Sequence, residues 1–290
     1  MAISAAEVKK LRDQTGAGMM DCKSALEEAN GNFEEANTIL RKKGLASAAK
    51  KAGRATSDGL IGFAVSDDHS AGTLVEVNCE TDFVANTDDF KNLIKNVLTE
   101  IEKAGHGAND AWLKDAAGPI QPMVALLVGK LGENMAVPRF VRYAGQGYVG
   151  QYIHLGGKLG VMVEFSGVTP AVAAKDEFQA LVKEIAMQIA AAGPLYASRS
   201  EVPADALEKE KAIYRGQMEN SGKPANVIEK IVEGKLGSYY GQVVLVDQPS
   251  IRDPKMTVND VLNAANKTLG STVGISRFAR LKVGETVAAS

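Results

Sequence analysis

The chain has 290 residues, more than one ordinary domain holds, with 45% hydrophobic and 23% charged side chains, so disorder throughout and a collagen-like fibre are excluded. A formal net charge of −2 and a pI near 6.0 lack the basic balance that a nucleic-acid backbone calls for. Cys22 and Cys79 lie too far apart in sequence to write a disulfide framework or a cysteine zinc site, the start MAISAAEVKK lacks the pattern of a secretory signal, and no run approaches the ~18 apolar residues of a membrane span. A cytoplasmic protein is expected, without a membrane partner, a cofactor or a bound metal.

The first elements are well punctuated. Ser4 and Glu7 have capping-box spacing and Ile3 can staple onto Val8, which predicts a helix from Ala5 bearing Val8 and Leu11. Gly16 and Gly18 break it. A second helix is expected from Asp21 with Ala25, Leu26 and Ala29, and a third after Asn32, with Ala36, Ile39 and Leu40 on one face and Gly44 as its stop. From Leu45 to Ser57 the segment LASAAKKAGRATS reads as a linker, helical in part. Residues 1–54 carry ten basic and seven acidic side chains, a net of +3. The mild excess admits an RNA contact from Lys42 to Arg54, against which stands the absence of stacking aromatics nearby. This three-helix unit reads as independent of the rest of the chain.

The interior holds a gapless repeat. A shift of 88 residues brings Gly59, Gly62, Gly72, Val75, Glu76, Phe90, Leu93, Lys95 and Ile101 onto Gly147, Gly150, Gly160, Val163, Glu164, Phe178, Leu181, Lys183 and Ile189. Each copy starts with a glycine-bounded apolar run, passes through an alternating run (LVEVNC, VMVEF) and ends in a helix with a continuous apolar stripe. Two β-β-α units of an α+β fold are predicted, each sheet covered by its own helix. Beyond Gly193-Pro194 a charged helix from Pro203 to Asn220, the turn SGKP and a helix from Ala225 to Tyr240 form an antiparallel hairpin with little core of its own, expected to project. A helix from Val258 to Lys267 and a strand-like SRFARLKV close the chain. The expected divisions are 1–54, 55–140, 141–200, 201–242 and 243–290.

No nucleophile-base spacing, HExxH or phosphate loop occurs. His69, His106 and His154 are scattered, and Cys79 shares a strand face with Val75 and Val77, which favours a small core residue over a catalytic one. Two patches are less easily structural. In TGAGMMDCK, Met19 and Met20 stand in a glycine-rich connection, as an adaptable contact surface flanked by Arg12 or as a plug for the bundle. In TDFV, Thr81 to Val84, the repeat acts as a control: the second copy has Thr169, Pro170, Ala171 and Val172. The copies part at Asp82 and Phe83, which the shared fold therefore does not demand. A helix cap for Asp82 and a core plug for Phe83 are the structural alternatives.

The runs LRDQTGAGMMDCKSALEEANGN, VNCETDFV, GQYIHLGGKLGVMV and SGKPANVIEKIVEGKL, in this order and spacing from Ile3 to Glu285, resemble the bacterial elongation factor Ts family. The resemblance implies a small UBA-like amino-terminal domain, two repeated α+β core subdomains and a projecting antiparallel hairpin for homodimer formation. It further implies guanine nucleotide exchange on the GTPase elongation factor Tu, without covalent catalysis. Thr81, Asp82, Phe83 and Val84 take the Mg²⁺-displacing role, and Arg12, Met19, Met20 and His154 contact the partner. The carboxy-terminal extension of some members is not expected, since the sequence runs five residues past Glu285. An RNA-binding translation accessory module and a small-molecule enzyme using Cys79 or His154 are the alternatives.

Overall fold

The computed structural model describes residues 3–145, 147–218 and 223–285. Helix α1 (Ala5–Thr15) starts as the capping box requires: the Glu7 amide donates to Ser4 Oγ at 3.3 Å and the Ser4 amide to Glu7 Oε2 at 2.7 Å. Its Val8 and Leu11 meet Cys22, Ala25 and Leu26 of α2 (Met19–Glu28) and Ala36 and Leu40 of α3 (Phe33–Lys51) in one small core. Asn32 caps α3, accepting from the Glu34 and Glu35 amides at 3.0 and 3.2 Å. Two boundaries differ from expectation. Helix α2 begins at Met19 rather than Asp21, because Gly18 supplies the N-cap and its carbonyl accepts the Cys22 amide. Helix α3 does not stop at Gly44 but continues to Lys51. A Cβ at Gly44 would lie 3.2 Å from the Ala125 carbonyl oxygen, so the glycine admits a neighbouring helix instead of ending its own.

The repeat is visible element by element. The first copy is β1 (Asp58–Val65), β2 (Ala71–Cys79), the one-turn helix α4 (Asp82–Ala85) and α5 (Asp88–Ala104), followed by α6 (Asp110–Lys114), α7 (Ile120–Leu131) and β3 (Met135–Ala144). The second is β4 (Tyr148–His154), β5 (Leu159–Ser166), α8 (Pro170–Ala173) and α9 (Asp176–Ala192). Between this copy and its last pieces stands the hairpin of α10 (Ala204–Gly216) and α11 (Ala225–Val243); α12 (Val258–Leu269) and β6 (Gly274–Lys282) complete it. Both sheets are antiparallel, in orders β1-β2-β3 and β4-β5-β6, so each takes a third strand from outside the repeated segment. Strand β3 runs across the division expected between 140 and 141, so the first sheet takes residues from both sides of it.

Each sheet has a helix on one face and the other sheet on its second face. Phe90, Leu93, Ile94, Val97, Leu98 and Ile101 of α5 are buried on the first sheet, and Phe178, Leu181, Val182, Ile185 and Ile189 of α9 on the second. The sheets meet through Ile61, Leu74, Tyr143, Val149, Met162 and Leu281. Two of the three shared glycine pairs serve these two contacts. A Cβ at Gly62 would overlap Ile94 of α5, and one at Gly150 would overlap Val182 of α9. A Cβ at Gly72 would meet Val149 at 2.7 Å, and one at Gly160 would meet Ile61 at 2.5 Å. Ile61 and Val149 are themselves equivalent under the shift of 88 residues, so the two sheets are packed pseudo-symmetrically. The same symmetry pairs the charges: Glu76 and Glu164, 2% and 7% exposed, each accept from the Nε of the arginine opposite on the third strand, Arg139 and Arg277, at 2.7 Å.

In the hairpin, Arg215 near the end of α10 grips Glu229 near the start of α11 at 2.7 and 3.0 Å, which makes the helices antiparallel. Only Val232 and Leu236 of α11, and no residue of α10, are buried. Asn220, and Ser221 and Gly222 of the expected turn, lie outside the described residues. Among the described residues no helix is long and apolar enough to cross a membrane.

The inter-sheet contact yields a prediction. Gly160→Val forces a branched side chain against Ile61 and is expected to lose about 1–3 kcal/mol of stability in urea unfolding. Gly53→Val, where a Cβ meets nothing within 4 Å, leaves the packing undisturbed and serves as the control.

Candidate functional site

The TDFV segment sits where β2 ends. Thr81, extended, is the N-cap of α4, and its Oγ1 accepts the Val84 amide at 3.4 Å. With one turn to arrange, Val84 and Ala85 face the core, 9% and 0% exposed, and Asp82 and Phe83 face solvent. Phe83 is 81% exposed, so it is not a core plug. Asp82 is not the cap, since Thr81 is, and its carboxylate takes part in no hydrogen bond or ion pair among the described residues. In the second copy Thr169 caps α8 in the same way, accepting the Val172 amide at 3.3 Å, and Val172 is buried. The turn is common to both copies; the two outward side chains are what differ.

The first turn is also clamped from behind. Glu133, beyond the end of α7, accepts the Thr81 amide at 3.0 Å and the Thr81 hydroxyl at 2.6 Å. Its neighbour Asn134 donates its amide to Glu80 at 2.6 Å and its side-chain nitrogen to the Arg54 carbonyl at 2.8 Å. The Asn134 amide holds the Glu80 carboxyl below its ordinary range, with Arg54 adding to it against the opposing effect of burial. The sequence gives no signal for this clamp, because Glu133 is 52 residues from Thr81.

The β4–β5 turn lies beside this corner. Lys158 pairs with Asp58, which stands opposite Cys79 in the ladder, and donates to the Gly59 carbonyl at 2.9 Å. Burial disfavours the ionised Asp58, but the hydrogen bonds from Lys158 and the Gly59 amide and the charge of Lys158 outweigh it and hold the carboxyl below its usual range. On the same turn His154 is exposed, its Nδ1 2.8 Å from the Tyr152 hydroxyl. Leu155 follows it, 67% exposed at a φ of +52°. The left-handed region is unfavourable for a leucine; the sequence signal for this position is an apolar residue directly before Gly156-Gly157.

Arg12, Met19 and Met20 are carried by the helical bundle. Met19 and Met20 open α2, 55% and 74% exposed, and so do not plug the bundle; Arg12 is exposed near the end of α1. Lys130 of α7 links this end of the bundle to the segment following TDFV: it covers Gly16 after α1 and pairs with Asp89 of α5 at 2.7 Å. Of the linker cations, Lys51 donates to the Val128 carbonyl, Arg54 to Glu80, and Lys43 pairs with Glu28, so these three are engaged within the protein. The side chain of His106 lies outside the described residues. Among the described residues no group of three or more metal-ligating side chains is found.

Residues 80–285 match the family model described as elongation factor TS. The chain is 42% identical to the elongation factor Ts of Trichlorobacter lovleyi over 98% of its length and 94% of the relative's. It is 42% identical to that of Aquifex aeolicus, over 98% and 99%, and 43% identical to that of Nitratiruptor sp., over 99% and 95%. The protein is thus of the class of translation elongation factors. It belongs to the elongation factor Ts family.

Cys79 is fully buried and donates its thiol to the Thr81 carbonyl at 3.1 Å. Burial first, then the charges of Asp58 and Glu133, push this thiol up to about 12. A raised thiol pKa stabilises the fold fully below the unfolded-state value of about 8.5, and that contribution is lost as pH rises toward the folded value. Native protein treated with iodoacetamide at pH 8 is therefore expected to remain unmodified at Cys79 by mass spectrometry until it unfolds, and rapid alkylation of the folded chain would contradict the assignment.

Proposed function

We propose that this protein is a guanine nucleotide exchange factor for the translational GTPase elongation factor Tu. The observation that carries the reading is Phe83, 81% exposed on a turn held by Glu133, where the second copy has Ala171. Burying a phenylalanine gains about 1.5–3 kcal/mol, so a free aromatic on a fixed turn is apolar surface reserved for another molecule.

GTPases hold nucleotide through backbone amides, a lysine and a Mg²⁺ that bridges the phosphates. In this reading Phe83 enters the partner as a wedge, and Asp82 brings a carboxylate, without a partner among the described residues, that favours the arrangement in which Mg²⁺ is displaced. Thr81 and Val84 hold the turn, one by capping and one by burial. Arg12, Met19 and Met20 form a second contact and His154 a third. By linkage, whatever the factor subtracts from nucleotide affinity, the nucleotide subtracts from affinity for the factor, so GTP or GDP rebinding releases it for another cycle.

Stopped-flow release of labelled GDP from elongation factor Tu tests this. The protein is expected to accelerate release at substoichiometric amounts, and Phe83→Ala to slow the accelerated rate by roughly tenfold, about 1.4 kcal/mol of transition-state stabilisation, with an unchanged melting temperature. A release rate indifferent to saturating protein removes the reading. A buried phenylalanine would instead lose about 3–5 kcal/mol of stability on truncation.

We assign self-association to the hairpin, where Ile213 and Val227 remain 52% and 38% exposed. Sedimentation velocity over a concentration series is expected to show a dimer, and a monomer at every concentration contradicts it.

A further inference from the structure

Helix α3 belongs to two cores at once. Its first half gives Ala36 and Leu40 to the bundle, and its second half lies along α7, with Ala48 packed against the core beneath the first sheet and Lys51 donating to the Val128 carbonyl at 3.3 Å. The helices touch backbone to backbone. A Cβ at Gly44 would lie 3.2 Å from the Ala125 oxygen and 3.5 Å from the Leu126 Cα, and one at Gly129 would lie 3.4 Å from the Gly44 Cα. Helix axes normally stay about 8–10 Å apart because side chains separate them, and a glycine inside a helix is destabilising by about 0.5–1 kcal/mol relative to alanine. Both helices carry that penalty at the one place where they cross. A second tie starts from the next residue of α7, where Lys130 covers Gly16, between α1 and α2, and pairs with Asp89. Two ties on different elements of the bundle fix rotation as well as position.

We propose that Gly44 is a positioning residue: its crossing with α7 holds the amino-terminal bundle as a rigid extension of the core, so that Met19-Met20 and Phe83 present one preset surface to the same partner. The inference rests on the exchange reading for the identity of that partner, elongation factor Tu. A flexible tether would leave the second contact to chance after the first, at an effective concentration set by linker length, and the ordering would have to be supplied on binding. A continuous helix of 19 residues, ~28 Å long, clamped at its distal end, removes that ordering beforehand.

The test uses the full chain and two variants. Gly44→Leu separates the crossing, and a four-residue Gly-Ser insert between Lys43 and Gly44 leaves the crossing in place but frees the bundle, which keeps the test valid should Gly44→Leu fold poorly. Amide ¹⁵N relaxation of the free protein is expected to show residues 5–40 tumbling with the core in the wild type and separately in the insert variant. Titration of GDP release is expected to show the half-saturating concentration rising at least tenfold in the insert variant, with the plateau release rate unchanged because Phe83 and its clamp are untouched. An insert variant that tumbles separately yet saturates at the wild-type concentration overturns the inference. So does a wild-type bundle that already tumbles alone, a result read without any partner, whereas failure of the wild type to bind elongation factor Tu removes the exchange reading itself.

Discussion

The contact of sheet on sheet at Gly72 and Gly160 sets the position of everything that protrudes from the core. Because each glycine receives a β-branched side chain of the opposite sheet, neither sheet can slide without driving Ile61 or Val149 into backbone. The pairs Glu76–Arg139 and Glu164–Arg277, whose carboxylates are buried, add a directional constraint. Removing the arginine would leave a buried carboxylate without its partner, so these pairs specify which strands lie opposite more than they add net stability. With the sheets fixed, the β4–β5 turn has to lie against the start of β1, and Lys158 meets Asp58. The His154–Leu155 turn and the TDFV turn thereby share one corner, although they stand in different copies of the repeat.

Duplication offers a way to separate what a fold requires from what has been added to it. Thr81 and Thr169 cap, and Val84 and Val172 are buried, because a strand that leaves its sheet for a covering helix has to turn within a few residues and satisfy the first amides. Asp82 and Phe83 face solvent where Pro170 and Ala171 also do, and the second pair is the inexpensive solution: a proline already suited to the first helical turn and a small side chain beside it. The first copy keeps a carboxylate and an aromatic ring instead, and it alone has Glu133 bracing the cap.

What the sequence displays and what it conceals divide along a physical line. The 88-residue shift is legible because it contains no gaps, and the stripes of α5 and α9 are legible because helical spacing places six and five apolar side chains on one face. The third strands are less evenly legible: β3 follows two helices outside the repeat and gives no signal, whereas β6 is visible as the strand-like SRFARLKV, but it follows the whole hairpin, so neither strand lies next to its pairing partner in sequence. Glycine misleads twice. Gly44 looks like a helix stop and Gly18 like a loop, whereas one admits α7 and the other caps α2; a single sequence records the absence of a side chain without recording the reason for it. The plug readings of Phe83 and of Met19-Met20 are excluded by exposure alone, which is a property of the assembled surface and not of spacing.

In the proposed reading as an exchange factor, rigidity of this surface has a direct energetic meaning. A protein shifts its partner between two arrangements only by as much as it binds one better than the other. If the turn bearing Phe83 yielded as readily as the partner, part of that difference would go into distorting the factor. Clamping Thr81 through Glu133, tying Glu80 to Asn134 and Arg54, and seating Val84 and Ala85 in the core make the turn stiffer than an unbraced loop. In the proposed exchange, the displacement then falls on the softer body, the switch region around the nucleotide. In the same reading, contacts remote from Phe83 contribute only while they hold the factor in register with it, so that placing them on one rigid frame would matter as much as their chemistry.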